Sequence, residues 1–575
     1  MAGTWQALTH QPTFNTSTMI QLSDGRIMVQ EEATPHWHAL TPDHTGSYVH
    51  GTWSPLADMR FWRRYYASGM LKDGRIVVIG GEQSGAGGDT NRGEIYDPVA
   101  DTWSPIPSPP GWAQVGDATC CTLPDGRLMI GALLTPDCII YDPVANDWTP
   151  AASKAVRSNE ETWVLLADDT IVTVQCFAPY RTERYSISSD AWKDEGPQPV
   201  NIVDQVMHEI GPAMLMYNGK VIYFGAADVG GHGVTVIYTP PPAYTGTGTW
   251  VQGPNIPKVG SKTIVCNDCP ASLLPNGKVL AAGAPFVFND WGSPICFIEY
   301  DPFTNTISYA PTPPNNGAQL YWSRFILTPT GQVLFSPSSS NVQCYTPDGG
   351  PQDAWRPVIS SIKHQPAKAE YLLTGRQLTG LSQANLYGDD CNPATNYPLV
   401  RLRDVHTGGV HFARTHDFST RGITAGVPQS VKFSASHIPY GRYDLCVIAN
   451  GISSECVSFA HLHRQHEHGE DDEGCRSQSC CCVPRCEGCG CRETAPALEP
   501  ELVHLRHDLR GLTRRVDRLS SLIKIEAAPR AQGVREGRRG GGTRTSRHEG
   551  EKGPEEAIVK RTRAHRPKGR PPPTQ

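Results

Sequence analysis

A short turn signal, Asp or Asn followed by Gly, recurs through the first 331 residues and limits the folds that this chain can adopt. It occurs at Asp24-Gly25, Asp73-Gly74, Asp125-Gly126, Asn218-Gly219 and Asn276-Gly277, with the variants Asp168-Asp169 and Thr330-Gly331. Each turn lies between two apolar runs, such as SGML and RIVVI around Asp73-Gly74. Asp-Gly between β-rich runs is the strongest short hairpin signal, because both turn positions favour a positive φ. The sequence therefore predicts seven β-hairpins.

Two further strand motifs follow each hairpin and complete a repeating unit. The third strand carries motifs such as IYDP and VIYTP, and the fourth carries a tryptophan in five units, at Trp53, Trp103, Trp148, Trp192 and Trp250. The second turn residues lie 49, 52, 43, 50, 58 and 54 positions apart. Four short strands and a period near 50 residues are typical of a kelch β-propeller. The predicted fold class is all-β, beginning with a seven-bladed kelch propeller over residues 1–354, in which these Tyr and Trp residues pack.

The N-terminal residues offer a way to close the ring of blades. GTWQAL at residues 3–8 matches GTWSPL at residues 51–56, where it forms an outer strand. Because open sheet edges are a liability, we expect residues 3–8 to supply the last strand of the seventh blade. The alternative is a separate N-terminal strand.

The repeat stops after Thr346-Pro347, and four regions of different composition follow. Short strands without Gly-Gly pairs over 355–460 predict an Ig-like β-sandwich. Residues 461–498 form a His/Cys-rich linker. Apolar residues spaced by three and four positions predict a short coiled-coil helix over 499–528, with a lone amphipathic helix as the alternative. Residues 529–575 read as a basic, disordered tail with 13 Lys/Arg against five Asp/Glu.

Charge and targeting signals say little about partners or location. The net charge is −6, and no run of 18 apolar residues is present that could span a membrane. The start MAGTWQALTH resembles no signal peptide, so a cytoplasmic location is the default and an extracellular one is expected if the N-terminus is incomplete. No specific nucleic-acid motif, P-loop, Gly-x-Ser-x-Gly or dinucleotide-binding glycine pattern is present.

The order of these regions resembles the galactose oxidase and glyoxal oxidase family, which has kelch blades and a C-terminal Ig-like (early-set) domain. WRPVI at 355–359 resembles that family's entry into its last domain, and THDFSTRG at 415–422 resembles the loop that carries a copper-binding His up the propeller channel. The segments SNEETWVLL, NYPLVRL and ANGISS are closer still to an uncharacterised branch of kelch proteins with a degenerate copper site.

The resemblance implies a copper site of two Tyr and two His, with one Tyr linked to a Cys. RRYYASGMLKDGR places Tyr65 at the linked position, and LYWSRF places Tyr321 at the second Tyr. His416 corresponds to one His. Asn15 stands where the linking Cys is expected, and Trp322 stands where the other His is expected. Tyr65, Tyr321 and His416 are therefore interpreted as relic packing residues, and no cofactor is expected.

Other residues suggest polar or metal sites within the propeller. Asn159-Glu160-Glu161 and His208-Glu209 precede inner strands of two blades, so they form either a cation-binding floor at the channel mouth or solvated loop carboxylates. Cys266 and Cys269 make a lone Cys-x-x-Cys, whereas a zinc site needs a second pair. Cys120, Cys121, Cys138 and Cys296 lie in other blades, where cysteines at strand ends are more often buried as small hydrophobes. The cysteines between 120 and 456 need not be bridged if the chain stays in a reducing compartment.

The linker carries the densest group of metal-ligand residues. These are Cys475, Cys480, Cys481, Cys482, Cys486, Cys489 and Cys491, preceded by His461, His463, His466 and His468. As thiolates they could bind soft metals, and interchain disulfides or acylation are alternatives.

Two functions follow from the sequence. The first is a non-catalytic interaction scaffold that binds an unknown protein or carbohydrate at the propeller face and forms a homo-oligomer through residues 502–523. The second is a divergent copper-radical oxidoreductase acting on alcohols, aldehydes or carbohydrates, in which case copper is the cofactor.

Overall fold

The turn signals form hairpins, and in each signal only the second of the two turn residues has a positive φ. Gly25 has φ +82°, Gly74 +86° and Asp169, in the fourth turn, +58°. The amide of Gly25 donates to the carbonyl of Leu22, as in a type I turn that ends on a left-handed residue. The expectation of a positive φ at both turn residues is therefore wrong, because the loops are one residue longer than the shortest hairpins.

The computed structural model describes residues 3–82, 88–365, 370–387, 393–423 and 425–462. The strands of the first four blades and of the N-terminal segment are β1 Thr4–Ala7, β2 Thr16–Gln21, β3 Ile27–Glu31, β4 Trp37–Thr41, β5 Thr52–Leu56, β6 Ala67–Met70, β7 Ile76–Ile79, β8 Gly93–Asp97, β9 Thr102–Ile106, β10 Cys120–Thr122, β11 Leu128–Gly131, β12 Cys138–Asp142, β13 Asp147–Ala151, β14 Val164–Leu165, β15 Thr170–Val174, β16 Arg181–Ser186 and β17 Ala191–Pro197. Those of the last three blades are β18 Ala213–Leu215, β19 Val221–Val229, β20 His232–Thr239, β21 Thr249–Gln252, β22 Ile264–Val265, β23 Pro270–Leu273, β24 Val279–Pro285, β25 Cys296–Asp301, β26 Thr306–Tyr309, β27 Arg324–Leu327, β28 Val333–Ser336 and β29 Gln343–Thr346.

These strands form seven antiparallel sheets, which confirms the all-β, seven-bladed propeller. Each of the first five blades has four strands in chain order, from β2-β3-β4-β5 to β18-β19-β20-β21. In the sixth blade β22 pairs with β24 outside the order β23 to β26. Two short 3-10 helices occur at Leu320–Trp322 and Asp353–Trp355.

The N-terminal strand joins the ends of the ring. β1 pairs with β29 in the order β1-β29-β28-β27, so that Trp5 lies opposite Tyr345. The indole nitrogen of Trp5 donates to the carbonyl of Pro311 in the sixth blade at 2.6 Å. Residues 4–7 thus occupy the position that the repeat of GTWQAL and GTWSPL indicates.

The recurring Tyr and Trp residues connect neighbouring blades. Trp103 donates its indole N–H to the carbonyl of Ala57 in the first blade at 2.9 Å, and Tyr96 donates its hydroxyl to Asp101. The same carboxylate accepts the amide N–H of Ala57. The corresponding indole bonds of Trp53, Trp148 and Trp192 have lengths of 2.9, 2.7 and 3.0 Å. Because buried aromatic N–H and O–H groups need hydrogen-bond partners, these bonds fix the spacing between neighbouring blades, and the rings fill the space between them.

The chain after residue 355 forms a further set of antiparallel strands. These are β30 Val358–Gln365, β31 Glu370–Arg376, β32 Asn385–Tyr387, β33 Leu399–Asp404, β34 Val410–His416, β35 Pro428–Ser434, β36 Gly441–Ala449, β37 Ile452–Ser453 and β38 Val457–His461. They pair in the order β30-β31-β35-β34-β33-β36-β37, with β38 on β36 and β32 apart on β23. A disulfide joins Cys446 and Cys456, two of the cysteines that need not be bridged in a reducing compartment. The Ig-like assignment of 355–460 stays a prediction.

The C-terminal strands pack on the end of the propeller that carries the Asp-Gly turns, which we name the hairpin face. The amides of Thr415, Phe418 and Arg421 donate to carbonyls in the turns of the first three blades. On the far side Trp355 stacks on Tyr217 of the fifth turn at 4.5 Å. Since apolar residues of the first two blades and of the C-terminal strands form one buried cluster, the two regions share a core.

Several predictions lie outside the described residues. They are the Cys-rich segment with Cys475, Cys480, Cys481, Cys482, Cys486, Cys489 and Cys491, the coiled-coil helix at 499–528 and the tail at 529–575. Within the described part of the chain, no helix is long and apolar enough to span a membrane.

Candidate functional site at the channel mouth

The end of the propeller opposite the hairpin face presents one residue from each blade just before its innermost strand. We name this end the channel mouth. Because the blades share one register, residues at this position come together around the axis although they are far apart in sequence. They are Asn15, Tyr65, Asp117, Glu160, Glu209, Asp268 and Tyr321.

Tyr65 and Tyr321 meet at the mouth, as the resemblance to the oxidase family implies. Their ring centroids are 6.4 Å apart, and their side chains are 4% and 1% exposed. Tyr65 has φ +48°, a conformation that is costly for a residue other than Gly. The guanidinium of Arg324 lies 5.5 Å from the Tyr65 ring, and Trp291 packs 4.7 Å from Tyr321. The two phenols are therefore set in an aromatic and cationic environment.

The two substituted positions provide no copper ligands. Asn15 is exposed, and its carbonyl accepts the amide N–H of Glu32 at 2.8 Å. Trp322 packs against Tyr321 at 5.1 Å, with the guanidinium of Arg64 5.5 Å from its ring. An indole N–H donates hydrogen bonds and offers no lone pair to a metal. Among the described residues, these two positions supply neither the linking thiol nor the second imidazole of the oxidase site.

His416 lies at the hairpin face, contrary to the expectation that its loop enters the channel. Its imidazole is 3.5 Å from the carboxylates of Glu370 and Asp417, and burial lowers its pKa. The backbone beside it follows the turns, since Phe418 bonds to Lys72. Tyr65 stands seven positions before Lys72, at the other end of the innermost strand, so a span of roughly 20 Å of extended chain separates the tyrosine end of the blade from the end beside His416.

A different segment of the C-terminal region enters the channel. β32 pairs with β23, the innermost strand of the sixth blade. Ser382 donates to the carbonyl of Leu215 at 2.6 Å, the side-chain oxygen of Gln383 accepts the amide of Leu165, and Asn385 donates to the carbonyl of Phe325. Residues 382–387 thus bond to the innermost strands of blades four to seven. This is why the loop at 415–422 cannot occupy the same space.

The residues that the structure describes at these positions therefore do not fit a copper-radical centre. Two phenols converge at the mouth, while the single matching imidazole lies at the other face. A Cu(II) site of the tetragonal type needs neutral imidazole donors close together. Among the described residues, the group of three His, Cys, Asp or Glu side chains that could share a cation is an acidic one.

That acidic group consists of Glu160, Glu209 and Asp268, one from each of blades four to six. One oxygen of each lies within 4.8 Å of the others. Asp268 has φ +46°, and Trp291 donates its indole N–H to Glu209 at 3.0 Å. At an effective dielectric constant of about 20, two carboxylates about 5 Å apart repel by roughly 3 kcal/mol. The prediction of paired acids at the mouth identified Glu160 and Glu209 and missed Asp268, which the register of CNDCP before β23 could have shown.

Glu161, the third residue of the same motif, has a structural role. It forms a buried ion pair with Lys154, and Glu183 lies 3.5 Å from the same ammonium group. Burial raises the pKa of Glu161. His208, next to Glu209, packs 4.3 Å from the ring of Phe177. The side chains of neighbouring residues in these two loops thus point to different surroundings.

The propeller cysteines resemble packing residues more than ligands. Cys120, Cys121, Cys138, Cys266 and Cys269 are buried free thiols, and Cys296 is half-buried. Burial raises the pKa of Cys138 and of Cys296 to about 12, so both are protonated at neutral pH. Cys269 and Cys296 donate to the carbonyls of Ala282 and Gly283. Thiols in this state are poor metal ligands.

Comparison with known proteins gives short matches in sequence. The Kelch motif family matches residues 63–110, which confirms the kelch assignment of the repeat. A galactose oxidase of Gibberella zeae is 40% identical over 57 residues, or 10% of this chain and 8% of that protein. A putative F-box/kelch-repeat protein of Arabidopsis thaliana is 36% identical over 86 residues, or 15% of this chain and 20% of that protein. The chain thus matches only a small part of the length of each of these relatives.

Solved structures resemble this chain over longer stretches at low identity. A fungal alcohol oxidase of the AA5 family, in complex with copper, has a TM-score of 0.48 and 16% identity over 80% of this chain and 99% of its own. A streptogramin B lyase has a TM-score of 0.41 and 11% identity over 60% of this chain and 99% of its own. At such values the likeness carries no inference about chemistry.

Proposed function

We propose that this protein is a non-catalytic binding scaffold whose channel mouth recognises a protein or carbohydrate partner. The observation that carries this proposal is the separation of His416 from Tyr65 and Tyr321. With the phenols at one end of the propeller and the imidazole at the other, the donor set of the oxidase alternative is not assembled.

The composition of the mouth supports a binding role. Phe61 and Phe288 are exposed there, and the half-buried Trp112 lies in a neighbouring loop between blades. The guanidinium of Arg92 lies 4.1 Å from the ring of Phe61. Aromatic and Arg side chains are enriched in binding surfaces, because they bury large areas and keep a polar group for specificity. Loops on a rigid scaffold are the usual position for such contacts.

The experiment that tests the proposal is a copper and turnover assay on the full chain. The protein is loaded with Cu(II), and peroxide release is measured with primary alcohols, aldehydes and galactose. We expect no turnover above that of free copper and no tyrosyl-radical absorption band. A conservative Tyr321→Phe variant serves as the matched control, since it removes one phenol oxygen and keeps the packing against Trp291.

Turnover by the wild-type protein that the Tyr321→Phe variant loses would contradict the scaffold proposal and favour the oxidase alternative. Binding is tested in parallel with Phe61→Ser and Phe288→Ser variants in a glycan array and a pull-down from native extracts. Partners captured by the wild-type protein and lost by both variants support recognition at the mouth. Partners retained by both variants place recognition on another surface.

A further inference from the structure

We propose that Glu160, Glu209 and Asp268, together with the amide oxygens of Asn159 and Asn267, form a site for one hard divalent cation of the Ca²⁺, Mg²⁺ or Mn²⁺ class. The site lies at the channel mouth. It is independent of whether the partner of the mouth is a protein or a carbohydrate.

The first observation is the convergence of three carboxylates from three blades. Their oxygen atoms lie within 4.8 Å of one another, although Glu160 and Asp268 are 108 positions apart in the sequence. Each acid stands at the same place in its blade, just before the innermost strand. The propeller therefore directs the three side chains to one point through its register.

The second observation is a pair of buried asparagines with unpartnered oxygen atoms. Asn159 is 1% exposed and Asn267 is 3% exposed, and neither Oδ1 has a hydrogen-bond partner. Their amide nitrogens donate to the carbonyl of His208 and to the sulfur of Met207, in the segment that carries Glu209. Because the two heteroatoms of a carboxamide share one carbon, both oxygens are held beside this segment. A buried acceptor without a donor is costly, and a cation would satisfy it.

The donor set selects the class of cation. Carboxylate and amide oxygens are the ligands that Ca²⁺, Mg²⁺ and Mn²⁺ prefer, whereas copper and zinc sites use imidazole or thiolate. Among the described residues, Cys176 is a thiol next to the cluster, and it donates to the carbonyl of Glu160 at 3.6 Å. Glu160 is half-buried, so the cluster is accessible from the mouth.

The site is tested by titrating the full chain with Mn²⁺ and measuring the free ion by electron paramagnetic resonance. We expect one equivalent to bind in the wild-type protein, and Ca²⁺ or Mg²⁺ to compete for it. Mn²⁺ is suitable because the thiol-rich segment at 475–491 prefers softer metals.

Single variants Glu209→Gln and Asp268→Asn are each expected to weaken Mn²⁺ binding at least tenfold, because each replaces a charged ligand by an isosteric neutral one. Asp353→Asn is the matched control, because the carboxylate of Asp353 is exposed and pairs with Arg356, and this variant should bind Mn²⁺ as the wild type does. Circular dichroism checks that each variant is folded. An Asn159→Ala variant, which leaves all three acids in place, should weaken binding less.

Two results would overturn the proposal. One is the absence of a Mn²⁺ site tighter than millimolar in the wild-type protein. The other is unchanged Mn²⁺ binding in the folded Glu209→Gln and Asp268→Asn proteins, which would assign the ion to another part of the chain.

Discussion

The hairpin face and the channel mouth are built from the same seven repeats, but they differ in what the repeats present. At the hairpin face the turns are nearly alike, with Asp and Gly in the same positions and carbonyls that accept bonds from residues such as Thr415 and Phe418. At the mouth the corresponding residues differ from blade to blade, as Tyr65, Glu160 and Asp268 illustrate. The hairpin face thus serves folding and the docking of the C-terminal strands, while the mouth presents the varied side chains on which the proposed binding and cation sites rest.

This difference shows how a repeat protein separates stability from function. The backbone needs the same turn in every blade, because the geometry of each hairpin is the same. The mouth residues lie at the end of the loop that connects one blade to the next, and the register of the blade alone sets their position. Side chains there can differ between blades without changing the hairpins, and in blades four to six they bring three acids together.

The largest effect is expected at the hairpin face, from Arg421→Met. Arg421 is 1% exposed and donates to the carbonyls of Met70 and Asn396 at 3.1 and 2.5 Å. Its loss leaves buried acceptors without donors, and we expect the free energy of unfolding to fall by about 3 kcal/mol. Urea denaturation measures this change. The exposed Arg442, changed to Met, is the control, and an equal loss there would show that the contacts of Arg421 are unimportant.

A smaller effect of opposite sign is expected at the mouth. In chelator, Glu209→Gln should raise the free energy of unfolding by about 1 kcal/mol, because it removes one of three nearby negative charges. In millimolar Ca²⁺ the same variant should be less stable than the wild type, because a bound ion stabilises only the intact site. Thermal unfolding in the two buffers measures both. A variant that is equally destabilised in both would argue that the repulsion is not significant.

The smallest effect is the pH dependence from His416. Burial lowers the pKa of this imidazole in the folded protein, so the unfolded chain takes up the proton more readily as the pH falls through about 6.5. Stability should therefore decrease as the pH falls from 7 to 5, and part of that slope should disappear in His416→Gln. The exposed His406, changed to Gln, is the control. The charges of Glu370, Arg414, Asp417 and Lys432 surround the imidazole, so the comparison of the two variants measures the contribution of His416 in the presence of these groups. An identical slope in the His416 variant would contradict this assignment.

Much of the fold could be predicted from local signals, whereas the site could be predicted only in part. The seven turns and the pairing of Trp5 with the last blade follow from motifs that repeat in the sequence. The register of the blades predicted the positions of Glu160 and Glu209. Asp268 has the same register, but it lies inside the Cys-x-x-Cys motif, which was considered only as a pair of zinc ligands. His416 was misplaced because the motif around it says nothing about which C-terminal segment fills the channel.

The sequence by itself determined the number of blades, their strand order and the ring closure, because hairpin turns and strand alternation depend on neighbouring residues. The tertiary structure alone decided which side chains meet. In it Tyr65 lies beside Tyr321, residues 382–387 occupy the channel, and His416 lies at the opposite face. These contacts join residues tens to hundreds of positions apart, and their distances depend on how the blades and the C-terminal strands pack.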